Sequence, residues 1–312
     1  MKATICAAAI VLCALVSPSA ALPQSDAKQQ PPPDLIKQGQ QLLHEGKLEE
    51  ALALFRQDLH AWPDSLVANF AAGSALDLLG QGDEARQDFQ KAINVADTPE
   101  HKASAERQMA VSYAFESNCP KAVEYEQQVF DYYGSVKNFF EQGEIADEAA
   151  RICVDSGVLD AALKWYQIGH DSGLKEPDIK PARIDLWEFR WEHAQARIAA
   201  RRGDAAGAQK HVESAKAILA KRTNPEQAAF LPYLLGYVAF YSGDFTTARD
   251  EFAKANQNDP FILCLSGETY EKLGDNQKAI EFYRKAAAAV VHNPPAAYAV
   301  PYARRRLAEL SK

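Results

Sequence analysis

The residues of this chain that could do chemistry are few and badly grouped. His44-Glu45 begins a zinc-protease box, but Leu48 stands where the second His is required. The seven histidines, His44, His60, His101, His170, His193, His211 and His292, include no pair at i, i+3 or i+4, the spacing with which a helix grips a metal. No Gly-rich phosphate loop and no Gly-x-Ser-x-Gly elbow occurs. The acid pairs Glu49-Glu50 and Asp250-Glu251 are expected at helix starts, where a carboxylate offsets the positive end of the dipole. No metal and no cofactor is expected. Catalysis would need residues that converge from distant parts of the chain. Acidic residues outnumber basic ones, for a formal charge of −8, which argues against a phosphate-binding face and hence against nucleic acid.

What could position such residues is set by the chain's organisation. Lys2, then the uncharged apolar run Ala3–Val16, then Ser19-Ala20-Ala21 read as a signal peptide (residues 1–21) cut after Ala21. The apolar run is shorter than the roughly 20 residues that span a bilayer, so no membrane span is expected after cleavage. Retention of the leader as an anchor is the alternative. Loss of Lys2 leaves 33 basic against 42 acidic residues, a charge of −9. Residues 22–33 are rich in Pro and Gln and read as a disordered linker. Beyond them the chain shows helical periodicity broken by Gly, Asn, Asp and Pro, with no strand-like alternation.

The breaks recur. Gly39…Gly46…Ala51…Phe55, Gly236…Gly243-Asp244…Ala248…Phe252 and Gly267…Gly274-Asp275…Ala279…Tyr283 share one pattern. A small residue stands twelve positions before an Ala, and an aromatic follows that Ala by four. Weaker copies place the Ala at 85, 122, 162 and 208, with spacings that run from 31 to 46 across the series. The widest spacing surrounds Gly173, Pro177 and Pro181, residues that break helices. The pattern resembles the tetratricopeptide repeat (TPR) family, a helix–turn–helix unit of ~34 residues. The resemblance implies an all-α, right-handed α-solenoid of about seven helix pairs over residues 34–312. Its repeats fall at about 32–65, 66–99, 103–136, 143–176, 189–222, 229–259 and 260–293. Residues 296–310 form a C-terminal capping helix whose Tyr298, Tyr302, Leu307 and Leu310 cover the open end of the stack, with Arg304, Arg305, Arg306 and Lys312 in water.

In that repeat, helix A carries a small residue (Gly39, Gly73, Ala110, Ala150, Ala196, Gly236, Gly267) where helix B crosses closely. The aromatic of helix B is expected to plug the seam toward the next pair. Gly at the A–B turn takes the left-handed conformation, and Asp204, Asp244 and Asp275 are placed to cap helix B.

The resemblance also implies which side chains face the concave groove. In the fifth repeat they are Arg190, His193, Arg197, Ala200 and Arg201. In the sixth they are Phe230, Tyr233, Tyr237, Phe240 and Tyr241. The fourth contributes Glu144, Asp147, Arg151, Val154 and Asp155. A basic strip beside an aromatic strip suits an extended peptide with apolar side chains and an acidic group. The other reading is packing: the aromatics against a neighbouring helix B, the arginines onto acids such as Glu192. A double variant, Arg197→Glu with Tyr237→Ala, is expected to lose a groove ligand and keep the stack.

Cys6 and Cys13 leave with the leader. Cys119 opens the third helix B and Cys153 lies near the end of the fourth helix A, ends that the architecture makes neighbours, so a disulfide is feasible. Otherwise both are small buried hydrophobes. The function expected is a secreted or periplasmic scaffold or adaptor that binds a protein or peptide, and not an enzyme. The rivals are a structural subunit of a cell-envelope assembly and an enzyme built on a helical solenoid.

Overall fold

The computed structural model describes residues 33–311. The expected signal peptide and nearly all of the expected linker lie outside them. Seven antiparallel helix pairs follow one another: α1 (Pro33–His44) with α2 (Leu48–Ala61), α3 (Leu66–Leu79) with α4 (Gly82–Val95), and α5 (Pro99–Phe115) with α6 (Cys119–Ser135). Then come α7 (Phe139–Asp155) with α8 (Leu159–Gly173), α9 (Pro181–Arg201) with α10 (Ala205–Ala220), α11 (Leu231–Tyr241) with α12 (Phe245–Phe252), and α13 (Pro260–Lys272) with α14 (Asn276–Ala287). A last helix, α15 (Pro294–Leu310), follows, and a short 3-10 helix, Pro225–Phe230, precedes α11. No strand occurs among the described residues.

The seven recurring Ala residues, Ala51, Ala85, Ala122, Ala162, Ala208, Ala248 and Ala279, are all fully buried, although their spacing varies. Opposite them, in the first, second, sixth and seventh pairs, the glycine of helix A meets the aromatic of its own pair. A Cβ on Gly39 would lie 2.3 Å from the Phe55 ring, and one on Gly236 would lie 2.6 Å from Phe252. The aromatic therefore closes its own pair first. Phe55 also packs with Ala72 and Ala75 of the next pair, so it serves the seam as well.

The turns follow backbone chemistry. Gly243 and Gly274 hold φ near +80°, where a side chain is strained. Asp204, Asp244 and Asp275 each accept the backbone N–H three residues on, at 2.8–3.0 Å. The third pair has no such glycine: Ser117 takes φ 55° and Asn118 caps α6. That substitution, together with Glu126 at the position of the helix-B aromatic, leaves its pattern the faintest in the sequence. α9 begins at Pro181, well before residue 189, because a proline fits the first helical turn, where its missing N–H has no partner to lose. Asp250-Glu251 fall in the last turn of the short α12, not at its start.

One feature of the path departs from expectation. α15 packs on α13 and α14, and it also packs on α5 and α7. It covers the end of the stack through Tyr302, Leu307 and Leu310, as its sequence suggests. Its opposite face reaches back across the molecule to the first repeats, so the superhelix closes on itself.

Candidate functional site

The concave faces of α7, α9, α11 and α13 converge with one face of α15 on a polar and aromatic chamber. Arg197, on α9, donates to the Tyr166 hydroxyl at 2.6 Å and to the Tyr233 hydroxyl at 3.4 Å. One turn on, Arg201 donates to Tyr241 at 3.2 Å and to Tyr237 at 3.5 Å. Arg197 is only 5 % exposed, and Tyr233, Tyr237 and Phe240 are buried around it. Among the described residues no carboxylate lies within ion-pair distance of either guanidinium. Both are held by phenol oxygens and ring faces, with Arg201 5.0 Å from the Tyr241 centroid.

The rest of the chamber carries its own charges. Arg151 stacks over Phe261 at 4.7 Å and stands 3.7 Å from Asp155. Neither carboxylate oxygen of Asp155 is hydrogen-bonded, and Arg197 Nε and His193 Nε2 likewise have no partner. Burial pushes the Asp155 carboxyl up to about 6, against the pull of Arg151 and Arg197. Burial, with Arg197, Arg151 and Arg190 beside it, pulls the His193 imidazole well below its usual range, so the ring is neutral. At the far wall Glu268 accepts from the Tyr298 hydroxyl at 3.4 Å, and burial raises its carboxyl to about 7.

The groove residues read from the sequence do not all meet here. His193, Arg197, Arg201, Tyr233, Tyr237, Phe240 and Tyr241 do. Arg190 sits at the edge, paired with Glu144 and, at 3.9 Å, with Asp147, while Glu192 pairs with His211. Phe230 is a correction: it ends the 3-10 helix ahead of α11 and is 51 % exposed, because the chain turns before the sixth A helix begins. The double variant is a correction too. Tyr237 is fully buried and Arg197 nearly so, and a buried carboxylate at 197 would cost the fold itself. Cys119 and Cys153 are joined, with Cα atoms 4.9 Å apart, and the bond ties α6 to α7.

Three participants were overlooked by the sequence reading. Tyr166 has the position of a helix-B seam plug, and nothing in that position announces its hydroxyl's role. Glu268 was within reach, because it follows Gly267 as Arg197 follows Ala196 and Tyr237 follows Gly236. Tyr298 lies on α15, which follows α13 and α14 in the stack; the sequence marks it as a cap residue, and nothing local marks its hydroxyl as a partner of Glu268.

The chamber is built to hold charge and hydrogen bonds. Its one thiol neighbour, Cys264, is buried and pushed well above its usual range by desolvation, the opposite of an activated nucleophile. No group of three metal-ligating side chains exists among the described residues. None of the described helices is long and apolar enough to cross a membrane. A separate open trough of about 470 Å³ lies on α4–α6, beside the stacked pair Tyr113 and Tyr125.

Comparison with known proteins agrees with this architecture. The tetratricopeptide repeat family matches residues 36–101 and 233–294. The chain is a tetratricopeptide repeat protein. A tetratricopeptide repeat protein from Parabacteroides merdae shares the fold with a TM-score of 0.50, at 12% identity over 87% of this chain and 98% of that one. A Rap protein complexed with competence and sporulation factor superposes with a TM-score of 0.51, at 13% identity over 88% of this chain and 75% of the other. The apo form of RapI gives 0.50, at 11% identity over 88% and 98%. At these identities the likeness is one of fold. No curated protein matches the sequence.

Proposed function

We propose that this chain is an exported binding scaffold whose chamber holds a carboxylate-bearing segment of a partner protein. One observation carries the reading: Arg197 and Arg201 are drawn into the concave interior with hydroxyls as hydrogen-bond partners and, among the described residues, no carboxylate within ion-pair distance. A buried guanidinium is costly unless paired, and the fork geometry of Arg matches a carboxylate best. The surrounding tyrosines supply flat apolar area and hydroxyls that orient such a group. The Rap protein complexed with competence and sporulation factor is an instance of this fold seen with a bound molecule. Export to a secreted or periplasmic setting follows from the leader in the sequence. The Cys119–Cys153 bond supports it, since such bonds persist in oxidising compartments.

The test uses Arg201, which lies at the half-buried edge of the chamber, so that the core is spared. Envelope or secreted fractions passed over the mature chain are expected to yield a partner that the Arg201→Gln variant fails to retain, with an unchanged thermal melt. Equal retention by both proteins would move the contact to another face and favour the assembly-subunit reading.

A further inference from the structure

The first three repeats also have a concave groove, and it is filled by the chain itself. Among the positions counted from Gly39, Gly73 and Ala110 as the chamber residues count from Ala196 and Gly236 are Leu43, Asp77, Leu78, Val111, Ala114 and Phe115. These are the residues on which the segment Ala289–Val300 lies. Ala296 and Val300 are buried with Leu43 and Leu78, and Ala297 is buried with Val111 and Ala114. His292 enters a polar slot: its Nε2 meets Asp77 at 2.8 Å and its Nδ1 meets Gln108 at 2.7 Å. The ring lies between Phe89 and Phe115, each 5.3 Å away between centroids. Asp77 is fully buried and is further bonded by Ser112 at 3.0 Å. Arg304 closes the contact by donating to the Leu78 carbonyl, 226 residues away in sequence.

This contact has the make-up of a recognition site. A stretch without regular secondary structure, Ala289–Asn293, leads into a helix that presents Ala296, Ala297 and Val300 to the groove. Specificity rests on one histidine read by a buried carboxylate, a polar arrangement that costs stability unless every member is satisfied. The same helix has a second face. Tyr298 meets Phe261 at 5.0 Å between centroids and bonds Glu268, so α15 is also a wall of the arginine–tyrosine chamber.

We propose that Ala289–Val300 is a displaceable latch: it is the resident ligand of the groove of the first three repeats, and its release parts those repeats from the α15 wall of the chamber. The consequence for the chamber rests on the reading above. The latch itself does not, because its test uses its own peptide and no partner.

The experiment compares the wild-type chain with Ala297→Glu, which places a charge in the apolar part of the contact. The probe is a fluorescent peptide of residues 288–301. Ala297→Glu is expected to keep its helical signal, to show an expanded X-ray scattering profile, and to take up the peptide. A peptide carrying His292→Ala is expected to bind it at least about tenfold more weakly, the loss of roughly one charged hydrogen bond. Wild type is expected to take up neither. His292→Ala with Arg304→Ala, which deletes the polar contacts without adding a charge, is the second route to the open form. A folded variant with an unchanged scattering profile and no uptake overturns the latch. So does loss of the helical signal in both variants, since the segment is then part of the core.

Discussion

The two halves of the superhelix use one register of concave positions to opposite ends. In repeats one to three those positions include the apolar Leu43, Leu78, Val111, Ala114 and Phe115 and one buried acid, Asp77, and these close on the chain's own C-terminal segment. In repeats four to seven they are Arg151, Asp155, Arg197, Arg201, Tyr237 and Glu268, and among the described residues the two central arginines meet only hydroxyls and rings. The outer architecture is the same in both: a fully buried Ala in helix B and a small residue in helix A, with an aromatic across the pair in all but the third and fifth, where Glu126 and Val212 stand. The difference teaches that pair packing and groove chemistry are separable. The first sets the scaffold, and the second decides whether the interior is filled from within or left to take a group from outside.

The junction between the halves is where the comparison breaks most readily. Cys119 and Cys153 are 34 residues apart and tie α6 to α7. Replacing both with Ser is expected to cost about 3–4 kcal/mol through the freed entropy of the unfolded chain. Urea unfolding read by circular dichroism checks it, and a second transition would show that the halves then unfold apart.

Pair packing should not distinguish the halves. Ala85→Phe in α4 and Ala248→Phe in α12 each force a ring into a fully buried site. Each is expected to cost about 2–4 kcal/mol by overpacking. Melting temperatures that fall by similar amounts sharpen the comparison, while a fall in one variant alone would show that the two scaffolds differ.

The smallest effect belongs to the chamber alone and depends on pH. Glu268 titrates near 7 in the folded chain, far above an unfolded carboxyl, so ionising it opposes folding. The penalty is fully present at pH 8 and fades as pH falls through 7 toward the unfolded value near 4. Glu268→Gln is therefore expected to stabilise by about 1–2 kcal/mol at pH 8 and by almost nothing at pH 5. Paired melts at the two pH values check the sign. A gap that widens toward pH 5 would contradict the burial of that carboxyl.

Much of this was legible in the residues. The seven Ala anchors, the left-handed turn glycines and the Asp caps each report a local requirement, the room for a crossing helix or the fate of an unpaired N–H, so each is written where it acts. The third repeat was faint because Ser117 does a glycine's work there and Glu126 stands where the aromatic would be. The chamber was legible in part: the register picked out Arg197, Arg201 and Tyr237, but it misplaced Phe230 and stopped short of Glu268.

What the residues determined by themselves was therefore the repeat, its pairings and which face of each A helix looks inward. What only the tertiary structure decided was the closure: that α15 returns to the first repeats, that His292 meets Asp77, and that Arg197 is buried rather than displayed. The reason is physical. Curvature in such a stack is the sum of small rotations between neighbouring pairs, set by packing at every interface, and no single residue or spacing encodes that sum.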